Sequence, residues 1–314
     1  MHDEQKVRIL FVKKSGRQSG GHVKFHDYFD HAFAHPQLEP NIYLTHDRSS
    51  DNGSIWEGVA SERFVREFDV GRFDLLFIDG RDWELLLPAA SHKAVIHLLQ
   101  DFRHADPFDP RFAFLSRPAT RICVSAELAA AVRRHANGPM AVIPNGIPID
   151  LFAPGEKRAG SVLIWARKDR ELGKALRTRL REHDVRLLTR PVPREEFAGM
   201  LAKSEVFVGL TRAREGFFLP AIEAMASGCA VVCADAIGNR GFCIDGQTCR
   251  FARFGDVDDH ARLVEELLSD REHSRALRQC AIEMSQTFTL QRERELFYAL
   301  LEQHVFSRAT APVS

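Results

Sequence analysis

Short, nearly unbroken apolar runs recur along the chain, separated by amphipathic or polar stretches. Residues 7–12, 41–45, 73–80, 94–99, 121–125 and 140–143 are such runs, and each reads as a strand buried in a parallel sheet. Between them lie a helical pattern over 22–34, a helix start over 83–87, and a helix over 126–135 stopped by Asn137, Gly138 and Pro139. The polar, glycine-containing stretches 15–21 and 46–58 read as loops. At 144–155 the pattern breaks, and three prolines with two glycines make an ordered linker. The alternation then resumes, with strands expected over 161–167, 185–189, 206–210 and 230–233 and helices over 172–183 and 194–202. From Asp258 the spacing of Leu263, Leu267, Leu268 and Leu277 is helical; a last helix covers 288–305, and the end after Ser307 is expected to fray. The pattern predicts an α/β chain of two facing doubly wound domains, 1–146 and 147–288, followed by a helix and tail over 289–314.

Composition adds mainly exclusions. The 314 residues suffice for two ordinary domains, and 45% hydrophobic with 27% charged content is that of a globular protein. Lys+Arg and Asp+Glu are both 43, so no global charge argues for nucleic acid as a partner. No apolar run reaches membrane-spanning length, and residues 1–6 do not read as a signal peptide, which predicts a cytoplasmic chain without a transmembrane segment. Scattered basic residues such as Arg177, Arg179 and Arg181 leave peripheral membrane contact open. None of the six cysteines forms a Cys-x-x-Cys pair. The spacing of Cys229, Cys233, Cys243 and Cys249 differs from that of the common zinc sites, so reduced thiols and no metal are expected.

The candidate chemistry concentrates in 214–228, directly after the apolar run 206–210. Gly216 allows a close approach to a ligand, Pro220 suits the first turn of a helix, and Gly228 suits its end. The free N–H groups of such a helix start favour a phosphate. Glu215 and Glu223 stand eight positions apart around this turn. Carboxylates there suit a sugar or ribose, whose vicinal hydroxyls donate to both oxygens. An N-capping Glu215 and a helix-surface Glu223 are the structural alternative. In the first domain, Asp79, Gln100, Asp101 and His104 follow strand ends, where ligands gather in open parallel sheets, whereas His97 reads as a packed core histidine.

The linker 144–152 and the later stretch 215–228, with its Glu-x7-Glu spacing, resemble family 4 glycosyltransferases of the GT-B fold. The resemblance is strongest over 144–260. It implies two Rossmann-like domains with the C-terminal helix returning to the first, and retaining transfer of a hexosyl group from a nucleoside-diphosphate sugar without metal. It also implies that Glu223 holds the ribose and Glu215 faces the donor sugar. Backbone N–H groups of Gly216, Phe217, Phe218 and Leu219, together with Asn145, belong to the donor side. Arg167 matches the first of two cations that neutralise the leaving diphosphate; Lys174 fits the second best, with Lys168 and Arg170 close by. Gly20 and Gly21 match the family's glycine pair after the first strand. Many members carry His-Asp where this chain has Gln100-Asp101; Gln100 is no acid or base but can hydrogen-bond a sugar hydroxyl. The run Gln100, Asp101, Phe102 resembles a subset similar to rhamnosyltransferases of surface-polysaccharide synthesis. The acceptor, expected at Gly20, Gly21 and Gln100-Asp101, is a glycan, a lipid-linked sugar or a small molecule. A degenerate sugar-nucleotide-binding module and a sugar-nucleotide epimerase are the alternatives on the same fold.

Overall fold

The computed structural model describes residues 6–14, 20–45, 55–86, 94–156 and 158–307. The loop expected at 15–19, most of the one expected at 46–58 and the fraying expected after Ser307 fall outside them. The chain divides into two compact units, Met1–Ile143 with Arg294–Ser314, and Pro144–Glu293.

The N-terminal unit runs β1 (Val7–Lys13), α1 (Gly20–Phe33), β2 (Leu38–Leu44), β3 (Leu75–Asp79), α2 (Trp83–Leu86), β4 (Ala94–Leu99), α3 (Pro110–Ala113), β5 (Thr120–Cys123), α4 (Ala126–Val132) and β6 (Met140–Val142). All pairings in its sheet are parallel, in the order β2-β1-β3-β4-β5-β6. The central strands are unbroken apolar runs because both faces are covered, while edge strand β2 alternates and tolerates Pro40. Gly20 and Gly21, read as loop from the sequence, form the first turn of α1. Phe11 lies at the centre of an aromatic cluster, stacked on Phe77 at 4.6 Å and edge-on to Phe25 and Phe29 at 5.5 and 5.3 Å. The end of the last helix completes this cluster. Phe297 meets Tyr28 at 5.2 Å, and the Tyr298 hydroxyl donates to the His31 carbonyl at 2.9 Å.

The second unit runs β7 (Ser161–Trp165), α5 (Arg170–Arg179), β8 (Asp184–Leu188), α6 (Arg194–Lys203), β9 (Val206–Gly209), α7 (Leu219–Ala226), β10 (Ala230–Cys233), β11 (Arg250–Phe251), α8 (Val257–Ser269), α9 (Arg271–Ser285) and the start of α10 (Leu290–Leu301). Its sheet is also parallel, in the order β11-β10-β9-β7-β8. Alternating apolar positions pack α5 and α8 onto this sheet, with Leu176, Leu263, Val264 and Leu267 buried against Val162, Ile164 and Val208. Gly228 ends α7 at φ 72°, the left-handed conformation that favours glycine. Each sheet reverses strand order once, at β1/β3 in the first unit and β7/β9 in the second. Crevices outside the carboxyl ends of strands at such reversals are where open α/β sheets bind ligands.

Candidate functional site

At the β7/β9 reversal two loops leave the sheet side by side. The first carries Arg167 and Lys168 and enters α5 through Asp169, whose carboxylate caps the helix on the Leu172 N–H at 3.0 Å. The second holds Thr211 and the Glu215 turn and enters α7. Lys168 forms an ion pair with Glu215, whose Oε2 also accepts from the Thr211 hydroxyl at 3.1 Å. Arg167 is half-buried, its guanidinium 5.8 Å from the Trp165 ring, and no carboxylate pairs with it among the described residues. Burial pulls it below the usual arginine range, so an incoming anion would find a cation already stripped of much of its water.

The turn itself is held from behind. Asn239 accepts the Phe218 N–H at 3.0 Å through Oδ1, and the Gly238 N–H donates to the Glu215 carbonyl at 2.9 Å. A side chain at Gly238 would strike the Glu215 and Gly216 carbonyls. Phe217 packs on Phe242 at 4.8 Å, and Phe218 on Trp165 at 4.9 Å. The N–H groups of Gly216, Phe217 and Leu219 meet no acceptor among the described residues. They lie at the start of α7, beside the two cations. Inside α7, Glu223 is buried, and Arg194 from α6 donates to its Oε1 at 2.9 Å while covering the Phe152 ring at 5.3 Å. Asn145 is buried too, and its Oδ1 meets no donor among the described residues.

The β1/β3 reversal of the N-terminal unit is built differently. Lys13, at the end of β1, pairs with Asp79 at the end of β3, and Asp82 lies 3.7 Å from the same ammonium. All three are buried. Burial alone would depress the lysine, but the two carboxylates hold it above its usual value. Burial would likewise raise Asp79, yet Lys13 keeps it low; Asp82, desolvated and beside Asp79, lies well above the carboxylate range. Asp82 also accepts the Asp79 N–H at 3.4 Å, so the two carboxyl groups and the ammonium form one buried cluster. Gln100 closes it, its Nε2 donating to Asp79 at 2.9 Å and to the Gly21 carbonyl at 3.1 Å.

Comparison with known proteins fits this geometry. Residues 167–284 match the family described as "Glycosyl transferases group 1". This segment is a group 1 glycosyltransferase domain. Sucrose-phosphate synthase from Thermosynechococcus elongatus has a similar structure (TM-score 0.75, 16% identity), covering 96% of this chain and 100% of that one. HepE of Anabaena, solved with UDP and glucose, is similar over 95% of this chain and 100% of its own (TM-score 0.72, 16% identity). A glycosyltransferase from Rickettsia africae covers 95% of this chain and 98% of its own (TM-score 0.68, 11% identity). These likenesses show the GT-B fold, two parallel-sheet α/β domains. A search of curated proteins finds no match to the sequence.

Within the group 1 domain, Arg167, Glu215, Gly216, Phe217 and Leu219 come together at the sheet reversal, and Glu223 follows one turn into α7. Two expectations need correction there, and one structural alternative falls. Lys174 is not the second cation at the turn: it lies on the exposed face of α5, paired with Glu171 at 2.8 Å, and Lys168 reaches Glu215 instead. The Phe218 N–H is not free, because Asn239 holds it. Glu223 is no helix-surface residue, and Arg194, which sequence reasoning passes over, orients its carboxylate. In the N-terminal unit, Gln100 lies beside Gly21 as the glycine pair suggests, but both its N–H groups are engaged. Asp101 is a capping residue, accepting from the Arg103 N–H at 2.8 Å and from its guanidinium at 2.6 Å. His104 is buried on His97, ring centroids 5.2 Å apart, rather than reaching out from its loop. His97 is a core histidine, accepting from the Trp83 indole at 3.1 Å.

Proposed function

We propose that the chain transfers a sugar from a nucleoside-diphosphate sugar to an acceptor hydroxyl, with retention of configuration and without a catalytic metal. The observation that carries this reading is the pairing of unneutralised Arg167 with the free N–H groups of Gly216, Phe217 and Leu219, all at the β7/β9 reversal. In this reading the diphosphate lies on those N–H groups. Arg167 and Lys168 neutralise the charge that develops as it leaves, the stabilisation most transferases require. Lys168 exchanges Glu215 for a phosphate oxygen, which frees the Glu215 carboxylate to accept from sugar hydroxyls. Glu223, held by Arg194, accepts from the ribose hydroxyls. Acceptor recognition falls to the N-terminal unit, where Gly21 and the Gln100 carbonyl oxygen adjoin the Lys13–Asp79 cluster. The acceptor is a glycan, a lipid-linked sugar or a small molecule, and the likeness to polysaccharide rhamnosyltransferases, carried by Gln100, Asp101 and Phe102, supports the first two.

A thermal-shift screen against UDP, GDP, ADP, CMP and dTDP without added metal tests the donor site. UDP comes first, because HepE was solved with it. Saturation at a hundredfold over Kd should stabilise by about 2.7 kcal/mol. One nucleotide should shift the melting temperature, and Glu223→Ala should remove the shift. A folded protein that responds to none of the five would sink the assignment.

A further inference from the structure

Three cysteines of the second unit converge in a way that their spacing conceals. Cys233 is the last residue of β10, Cys243 lies in the following loop, and Cys249 directly precedes β11. Their three sulfurs lie within 4.8 Å of one another, and Cys233 and Cys243 are 3.8 Å apart. All three are buried. Two thiolates on one tetrahedral zinc, with bonds of about 2.3 Å, stand roughly 3.8 Å apart.

The backbone around them is already fixed. The Thr248 hydroxyl donates to the Phe242 carbonyl at 2.6 Å and accepts the Ile244 N–H at 2.8 Å. Gly246 turns the chain at φ 73°, and its N–H donates to the Cys249 carbonyl at 2.8 Å. Cys243 and Cys249 thus sit on a closed turn, and pairing of β10 with β11 places that turn against Cys233. The other cysteines differ. The Cys229 thiol lies 3.3 Å from each of two carbonyl oxygens, Leu201 and Ser204; Cys123 stands elsewhere in the core, and Cys280 is exposed.

We propose that Cys233, Cys243 and Cys249 form a structural site for a thiophilic metal ion of the zinc type, bound as three thiolates. Sulfur ligands select such ions over calcium or magnesium. Binding balances as one divalent ion displacing the thiol protons, which pass to solvent as three metal–sulfur bonds form. The site is separate from the transfer chemistry, but it braces the loop behind the Glu215 turn: the Cys243 N–H donates to the Asn239 carbonyl at 2.8 Å, and Asn239 in turn holds Phe218.

The test uses the full chain purified under reducing conditions without chelator. Elemental analysis should find one zinc per chain. After chelation, titration with Cd(II) should raise an ultraviolet sulfur-to-metal charge-transfer band that saturates at one equivalent, and Zn(II) should raise the melting temperature. Cys243→Ser and Cys249→Ala, each checked for folding by circular dichroism, should weaken Cd(II) binding by about tenfold or more, whereas Cys280→Ser should not. The proposal is overturned if the wild-type chain, with all its thiols reduced, gives no saturable Cd(II) band. An undiminished band in both cluster variants overturns it equally.

Discussion

The two sheets reverse strand order in the same way, yet their reversals are chemically opposite. In the N-terminal unit the reversal is closed: Lys13, Asp79, Asp82 and Gln100 satisfy one another out of water. In the group 1 domain it is open: Arg167 has no carboxylate partner among the described residues, and three N–H groups wait without acceptors. Topology fixes where a ligand can be met, and the charge balance of the loop residues decides whether an anion is wanted there.

Breaking the closed side should have the largest effect. Lys13→Met leaves Asp79 and Asp82 buried without their cation and should cost about 3–5 kcal/mol in urea unfolding. A loss below about 1 kcal/mol would mean that water reaches the cluster and that the contrast is false. On the open side, Arg167→Ala has no internal partner to strand. It should leave the unfolding midpoint nearly unchanged while lowering turnover about 10²–10³-fold, the usual effect of losing one transition-state donor. Unchanged turnover in a steady-state assay would remove Arg167 from the chemistry.

Acid should separate the units next. Burial holds the His104 pKa down to about 4, below the usual 6.5, and His97 beneath it is also lowered by burial. The unfolded chain therefore binds protons between these values while the folded one does not, and stability falls as pH drops from about 6.5 towards 4. The loss from His104 alone is on the order of 3 kcal/mol. Urea midpoints measured at pH 7 and 4.5 should show it, and His104→Asn should flatten the slope. The smallest effect belongs to Lys174→Ala, which should shift stability by no more than about 0.5 kcal/mol and leave turnover intact, while Lys168→Ala slows it. The reverse pattern in the same assay would restore Lys174 as the second cation.

The contrast also explains how far the sequence could be read. Strand positions, linker and turn are local signals. Unbroken apolar runs, three prolines in twelve residues, and the Gly216 and Pro220 pair announce them directly. Lys168 and Lys174 cannot be separated that way, because the choice depends on where α5 starts. With Asp169 as cap, Lys168 remains on the loop and Lys174 is carried to the outer face of the helix. Arg194 lies 29 residues before Glu223 and meets it only through the packing of α6 on α7. Lys13 finds Asp79 across 66 residues, and the three thiols meet through β10–β11 pairing rather than a short spacing. Asp101 and His104 were legible as strand-end residues, but the tight turn at 102–105 directs one carboxylate to Arg103 and folds one imidazole inward.

The last helix has a consequence for the order in which the protein is made. Phe297 and Tyr298 complete the aromatic cluster around Phe11, and the Tyr298–His31 hydrogen bond spans 267 positions. A ribosome must therefore deliver the whole of Pro144–Glu293 before the unit begun first can close. At about 5–20 residues per second that is a delay of roughly 8–30 s, during which Tyr28 and Phe77 lack their final cover. All residues of the domain started second are therefore synthesised before the one started first has its last helix.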